Sequence, residues 1–160
     1  MSEENKALVR RIIDEAWNRG NLDVIDEAFA ADYQEHNPRP GQETGIEGYK
    51  GGISMLRAAF PDLFLDLQDI IAEGDRVAVR YVLRGTHNGE MMGLPGSGQR
   101  VESDGMVFAR FQDGRIVERW QVHDDLALLQ QAYTIEFFEV YNFFPRTPHI
   151  ETLAVMKRKP

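Results

Sequence analysis

The feature that most constrains this chain is a change of hydrophobic period at Leu63. Before it, apolar residues recur every three or four positions; after it, they recur every two. Val9, Ile12, Ile13, Ala16 and Trp17 form one stripe, which predicts a helix over 4–19 that Gly20-Asn21 ends. Leu22, Ile25, Ala28 and Phe29 predict a second, short helix that stops at Ala31-Asp32-Tyr33. A loop with two prolines and a glycine follows (His36 to Gly41), then a third helix over roughly 46–59, with Tyr49, Ile53, Leu56 and Phe60 on one side and Pro61 as its stop. From Leu63 the pattern alternates. Leu63, Leu65 and Leu67 make one face, and Glu73-Gly74-Asp75 makes a turn. Val77, Val79, Tyr81 and Leu83 then share the apolar face of a second strand. A glycine-rich connection over 85–100 leads to a strand over 101–111. Asp113-Gly114 is a hairpin signal, and a fourth strand runs to about His123. Asp124-Asp125 caps a last short helix. Helices first and a four-stranded antiparallel meander second predict an α+β layer fold.

A chain of 160 residues has the usual size of one domain with one core. Its formal charge of −8 disfavours nucleic acid and anionic membrane surfaces as partners. The one basic run, Lys157-Arg158-Lys159, reads as a solvated tail. No cysteine is present, which excludes disulfides, thiolate zinc sites and thiol catalysis. No signal peptide and no apolar run of about 20 residues is evident, so the expected compartment is the cytoplasm.

Several strings, in order, resemble one family. Trp17-Asn18-Arg19-Gly20-Asn21-Leu22 and Asp32-Tyr33-Gln34-Glu35-His36-Asn37-Pro38 look like two of its junctions. Leu56-Arg57-Ala58-Ala59-Phe60-Pro61-Asp62 is similar to its "L-R-x-A-F-P-D". Gly85-Thr86-His87-Asn88-Gly89-Glu90-Met91-Met92-Gly93 resembles "G-T-H-x-G-x-F-M-G". Ile71 to Arg80, Gly114 to Trp120 and Asp124 to Gln131 resemble its central hairpin, closing strand and closing helix. Together they span about 5–132 and resemble the SnoaL-like polyketide cyclases of the NTF2-like superfamily. The resemblance implies an NTF2-like cone, in which N-terminal helices pack on a curved antiparallel sheet enclosing a pocket. It also implies a homodimer through the outer sheet face and a reaction that needs no cofactor and no metal.

Asp124 is the leading catalytic candidate. Trp120, Val122 and Asp124 have one parity, so a regular strand puts the acid at the end of an apolar face. Desolvation there would make it a better base. The resemblance assigns the same position the acid/base role in intramolecular aldol closure. The competing reading is a helix N-cap. His36 and His87 are the next candidates, as imidazoles that hydrogen-bond a substrate carbonyl or orient Asp124. Trp120, Tyr33, Trp17, Phe60 and Met92 are candidate ligand-binding residues for a flat apolar or aromatic molecule. His123 has the opposite parity and is expected to face away from the pocket with Arg119 and Gln121. One departure stands out: family cyclases usually carry a His or amide on the strand beside the last one, and 101–111 contains no His, Asn or Gln.

Two function classes remain. One is a cofactor-independent cyclase or isomerase that removes a proton next to a carbonyl. An epoxide-hydrolase-like variant would need Asp104 as its second carboxylate. The other is a module that binds a small apolar molecule without chemistry. Residues 1–132 form the expected domain, and the aromatic-rich stretch 133–160 an extension of it, either a lid or a partner contact.

Overall fold

A computed structural model describes residues 2–38, 41–91, 93–141 and 151–158, with side chains as far as Tyr133. Helix α1 (Ser2–Ile12) continues into a π-helical turn (Ile13–Asn18), and α2 (Asp23–Ala28), β1 (Phe29–Glu35) and α3 (Gly45–Ala59) follow. Strands β2 (Phe64–Glu73), β3 (Arg76–Thr86), β4 (Arg100–Gln112) and β5 (Arg115–His123) form the meander, and α4 (Asp125–Ala132) closes it. The sheet order is β1-β5-β4-β3-β2. This is the expected α+β, NTF2-like arrangement, with helices against one face of the sheet.

One strand was not foreseen. Residues 29–35 read as the end of a helix, yet they form β1 and pair in parallel with β5. Their burial explains the miss. Only Phe29 and Tyr33 of this strand are buried, four positions apart, which mimics a helical period. The sheet is therefore mixed and has five strands. Beyond the meander, β6 (Tyr133–Tyr141) and β7 (Glu151–Arg158) pair in a separate two-stranded sheet.

The core lies between the helices and one sheet face. Val77, Val79, Tyr81 and Leu83 of β3 point into it, as their alternation predicts, and so do Val101, Ser103, Ala109 and Phe111 of β4. Ile25, Ile53 and Phe60 fill it from the helical side, each with no exposed surface. Phe60 packs so closely on the sheet that a Cβ at Gly85 would lie 2.9 Å from it. The long β3–β4 connection is pinned rather than loose. Asn88 and Gly89 both donate to the Ala59 carbonyl at the end of α3, and His87 and Gln99 close its base.

The π-helical turn is tied to β2 by one side chain. Asn18 Oδ1 accepts from the Leu65 N–H at 2.7 Å, and its Nδ2 donates to the Leu65 carbonyl at 3.2 Å. Asn18→Ala leaves both backbone groups of Leu65 unanswered, and the expected cost is about 1–3 kcal/mol. Thermal or denaturant unfolding of the variant measures it.

Candidate active site

The inward face of β5 decides the site, and a bulge decides that face. Arg110 pairs with Glu118, but the next residue, Phe111, pairs with Ile116, so Val117 is an extra residue. Ile116 is buried. Beyond the bulge the phase is inverted, and Arg119, Gln121 and His123 point inward while Trp120 and Val122 point outward. A one-residue slip moves every later side chain to the other face. The expectation that Trp120, Val122 and Asp124 line the interior is thereby corrected. Trp120 and Val122 do share a face, but it is the convex one, and Asp124 lies one residue past the end of β5.

The inward residues form a continuous polar chain. Arg119 donates to Glu35 Oε2 at 2.9 Å and to Gln121 Oε1 at 2.5 Å. Tyr33 donates to the same Glu35 oxygen at 2.8 Å. The Gln121 amide nitrogen donates to the Asn37 carbonyl, and its oxygen also meets His123 Nε2 at 2.8 Å. His123 Nδ1 lies 2.6 Å from the Tyr81 hydroxyl. The Arg119 guanidinium sits 4.6 Å from the centre of the Tyr49 ring, and Trp17 Nε1 donates to the Tyr49 hydroxyl. Desolvation by itself would lower the Arg119 pKa, but Tyr49, Tyr33 and Glu35 around the cation outweigh it and hold it above the usual value. Burial pushes the Tyr33 phenol up, with Arg119 opposing.

Above this chain lies a narrow cavity of about 50 Å³ between α1 and the sheet. Val9, Ile12 and Ile13 form one side and Val79, Tyr81, Val107 and Arg119 the other, with Trp17 and Tyr49 at its wall. A cleft on the other side of Tyr81 is lined by His123, Ser103, Asp125 and Met91. Among the described residues no three His, Asp or Glu side chains group to hold a metal ion. No described helix is long and apolar enough to cross a membrane.

The candidates read from the sequence are scattered by this geometry. Asp124 is exposed and accepts from the Ala127 N–H at 2.9 Å, so it is the N-cap of α4 and the expected desolvation does not occur. His36 lies on the convex side, stacked on Trp120 with ring centres 4.3 Å apart. Glu118, 3.6 Å from its Nε2, accompanies it there. His87 is fully buried behind Phe60 and Tyr133, with its Nδ1 3.3 Å from the Ser97 hydroxyl. Neither histidine lines the cavity. Tyr33 and Phe60 are core residues, Trp17 lines the cavity, and Met92 lies outside the described residues. Arg119, Gln121 and Tyr81 were not singled out as site residues. Three polar side chains at alternate positions, 119, 121 and 123, were the available signal, read with the wrong phase.

Comparison with known proteins agrees with this arrangement. The family model for SnoaL-like polyketide cyclase matches residues 7–132. The chain belongs to the SnoaL-like polyketide cyclase family. Aklanonic acid methyl ester cyclase DauD of Streptomyces sp. strain C5 is 30% identical over 131 residues, covering 78% of each chain. The corresponding DnrD protein of Streptomyces peucetius is 29% identical over 130 residues, 78% of this chain and 87% of its own. The solved structure of IdmH from Streptomyces antibioticus superposes with a TM-score of 0.71 at 34% identity, over 79% of this chain and 96% of that one. In this SnoaL-like chain the family match stops at residue 132, one position before β6 begins.

His87 makes stability pH-dependent. Burial lowers its pKa below the usual value, so the unfolded chain binds its proton more readily than the folded one. This contribution is fully present above the unfolded value of about 6.5 and is lost as pH falls below it. The melting temperature should therefore drop between pH 7 and pH 5, and His87→Gln should flatten that drop in a calorimetric pH series.

Proposed function

We propose that this protein is a cofactor-independent cyclase that removes a proton next to a carbonyl and closes a ring on a polyketide-type ester by intramolecular aldol addition. The observation that carries the reading is the concave sheet face itself, where an apolar cavity is lined by Arg119 and Tyr81, which hydrogen-bond to Gln121 and to the half-buried His123. Apolar walls suit a flat ring system, and fixed donors in a site shielded from water suit an oxygen that gains charge during reaction. The relatives named as aklanonic acid methyl ester cyclases supply the substrate class. A multi-ring ester is larger than the cavity, so binding requires α1 and the start of the π-helical turn, which roof it with Val9, Ile12 and Ile13, to move outward.

The reaction needs one group to accept the carbon-bound proton and another to answer the new oxyanion. The resemblance places the first role on Asp124, and we keep it there. This carboxylate stands at the end of β5, one residue beyond the inward-facing His123, where it can also exchange the proton with water. Asp124→Asn is the informative change, because Asn caps a helix as well as Asp does. With a panel of aromatic polyketide methyl esters, the wild type should give a product of unchanged mass and shifted retention. The variant should be slowed at least about 100-fold without loss of melting temperature. No conversion by either protein, with equal saturable binding, would replace the enzyme by a binding module.

The same reading includes a homodimer through the convex sheet face. Ile71, Met106 and Val122 are 70%, 60% and 71% exposed there, beside Phe108 and Trp120. Such a contiguous apolar patch on a sheet favours a partner surface. Val122→Lys should shift the mass in solution, measured by light scattering, from two chains to one. Residues 133–160 complete the domain in this reading, since Tyr133 at their start is buried and its hydroxyl donates to the Pro95 carbonyl of the β3–β4 connection.

A further inference from the structure

Residues 101–111 of β4 hold no His, Asn or Gln to meet a substrate oxygen from the middle of the sheet. The sheet register shows another source. Tyr81 of β3 pairs with Gly105 of β4, and Gly105 pairs with His123 of β5, so the three lie in one row across the sheet. Tyr81 and His123 reach toward each other on the concave side, above a position with no side chain. A Cβ at Gly105 would sit 2.3 Å from both Cζ and the hydroxyl oxygen of Tyr81. Any other residue there would push the ring aside. With glycine, the ring lies across β4 and its hydroxyl meets His123 Nδ1 at 2.6 Å.

The network also assigns the imidazole tautomer. A guanidinium only donates, so the Gln121 atom that faces Arg119 is the amide oxygen. Its nitrogen is correspondingly turned to the Asn37 carbonyl. The same oxygen faces His123 Nε2, which therefore carries a hydrogen. In the neutral ring Nδ1 is then the acceptor, and Tyr81 donates to it. In the protonated ring Nδ1 donates to the Tyr81 oxygen, and the phenolic hydrogen is released to point elsewhere. Tyr81 borders both the apolar cavity and the cleft beside α4, so that hydrogen can face a bound molecule.

We propose that Tyr81 and His123 are the proton-donating pair of the cyclisation, with Gly105 and Gln121 as their positioning residues. The proposal rests on the cyclase reading above. As Asp124 takes the carbon-bound proton, the resulting enolate carbon forms a bond to the second carbonyl carbon. The π pair of that carbonyl moves onto its oxygen, which takes the Tyr81 proton, and Tyr81 takes the Nδ1 proton of His123. The substrate loses one proton and gains one, so its mass is unchanged. The protein is left with a protonated Asp124 and a neutral His123, and solvent at the exposed end of β5 returns the proton.

The pair works only with His123 protonated at the start, so kcat should fall as pH rises through the imidazole range. The titratable and charged groups around the imidazole are Tyr81 from β3, Arg119 acting through Gln121 on β5, Asp125 at the start of α4 and Asp124 at its cap. From β4 the neighbours are the uncharged Ser103 and Gly105, and from α3 the apolar Met55 and Leu56.

The test is the pH dependence of kcat and KM for the wild type, Tyr81→Phe, His123→Gln and Gly105→Ala on the same methyl esters, with melting temperatures alongside. Tyr81→Phe should lower kcat about 100-fold or more while KM stays within about threefold. His123→Gln should be slowed as much and lose the high-pH limb. Gly105→Ala should resemble Tyr81→Phe; if it does not fold, Tyr81→Phe and His123→Gln decide. Turnover within about threefold of wild type in both, with the limb unchanged, would overturn the pair and leave the cyclase reading standing. A wild type that converts no ester would overturn both.

Discussion

A guanidinium sealed under a sheet must be answered on every side, and Arg119 is so answered. It is 4% exposed, and its neighbours are Glu35, Gln121 and the face of Tyr49. An unpaired charge in that position would cost several kcal/mol, and removing one member of a buried pair typically costs about 3–5 kcal/mol. The requirement reaches outward from there. Glu35 must be delivered, so β1 must lie beside β5, and Tyr33 comes with it to the same carboxylate. Gln121 must present its oxygen, so the imidazole beyond it is given one tautomer. The cation thus links the edge strand of the sheet, through Gln121, to the imidazole of His123.

The second constraint is steric and lies at Val117. A single extra residue in β5 separates the apolar beginning of the strand from its polar end. Without it, Trp120 and Val122 would enter the core, and Arg119, Gln121 and His123 would be solvated. With it, the concave face acquires its polar row and the convex face acquires its apolar surface. One bulge therefore sets the character of both faces of the sheet. Gly105 plays a similar part at smaller scale, because the missing side chain on β4 lets β3 and β5 touch.

Polar side chains in the core are, with two exceptions among the described residues, answered by partners. The side chains of Trp17, Tyr49, Tyr33, Glu35, Arg119, Gln121 and Tyr81, together with the half-buried His123, are all hydrogen-bonded to one another or to backbone. Among the described residues, Glu35 Oε1 and His87 Nε2 alone are buried side-chain atoms without a partner. A preorganised set of this kind loses little entropy when a substrate arrives, which is what an oxyanion-stabilising site requires. Asp124, by contrast, is held at the surface by a cap, where proton exchange with water is easy.

Much of this architecture was legible in the residues. Periods of 3.6 and 2 located α1, α3, the meander and α4, and ordered motifs pointed to the family, because both depend on neighbours within a few positions. Strand β1 was not legible, since its two buried residues lie four apart and its partner is more than eighty positions away. The face of β5 was not legible either, because alternation tells which residues share a side but not which side is inside once a bulge intervenes. So His123 was expected to face out and Trp120 in, and both are reversed. The sequence by itself determined the order of the helices and of the four meander strands, the fold family and the identity of the polar residues at 119, 121 and 123. Only the tertiary structure decided that they meet Tyr81 and Glu35. Those contacts are long-range pairings set by register, and register is a property of two strands together.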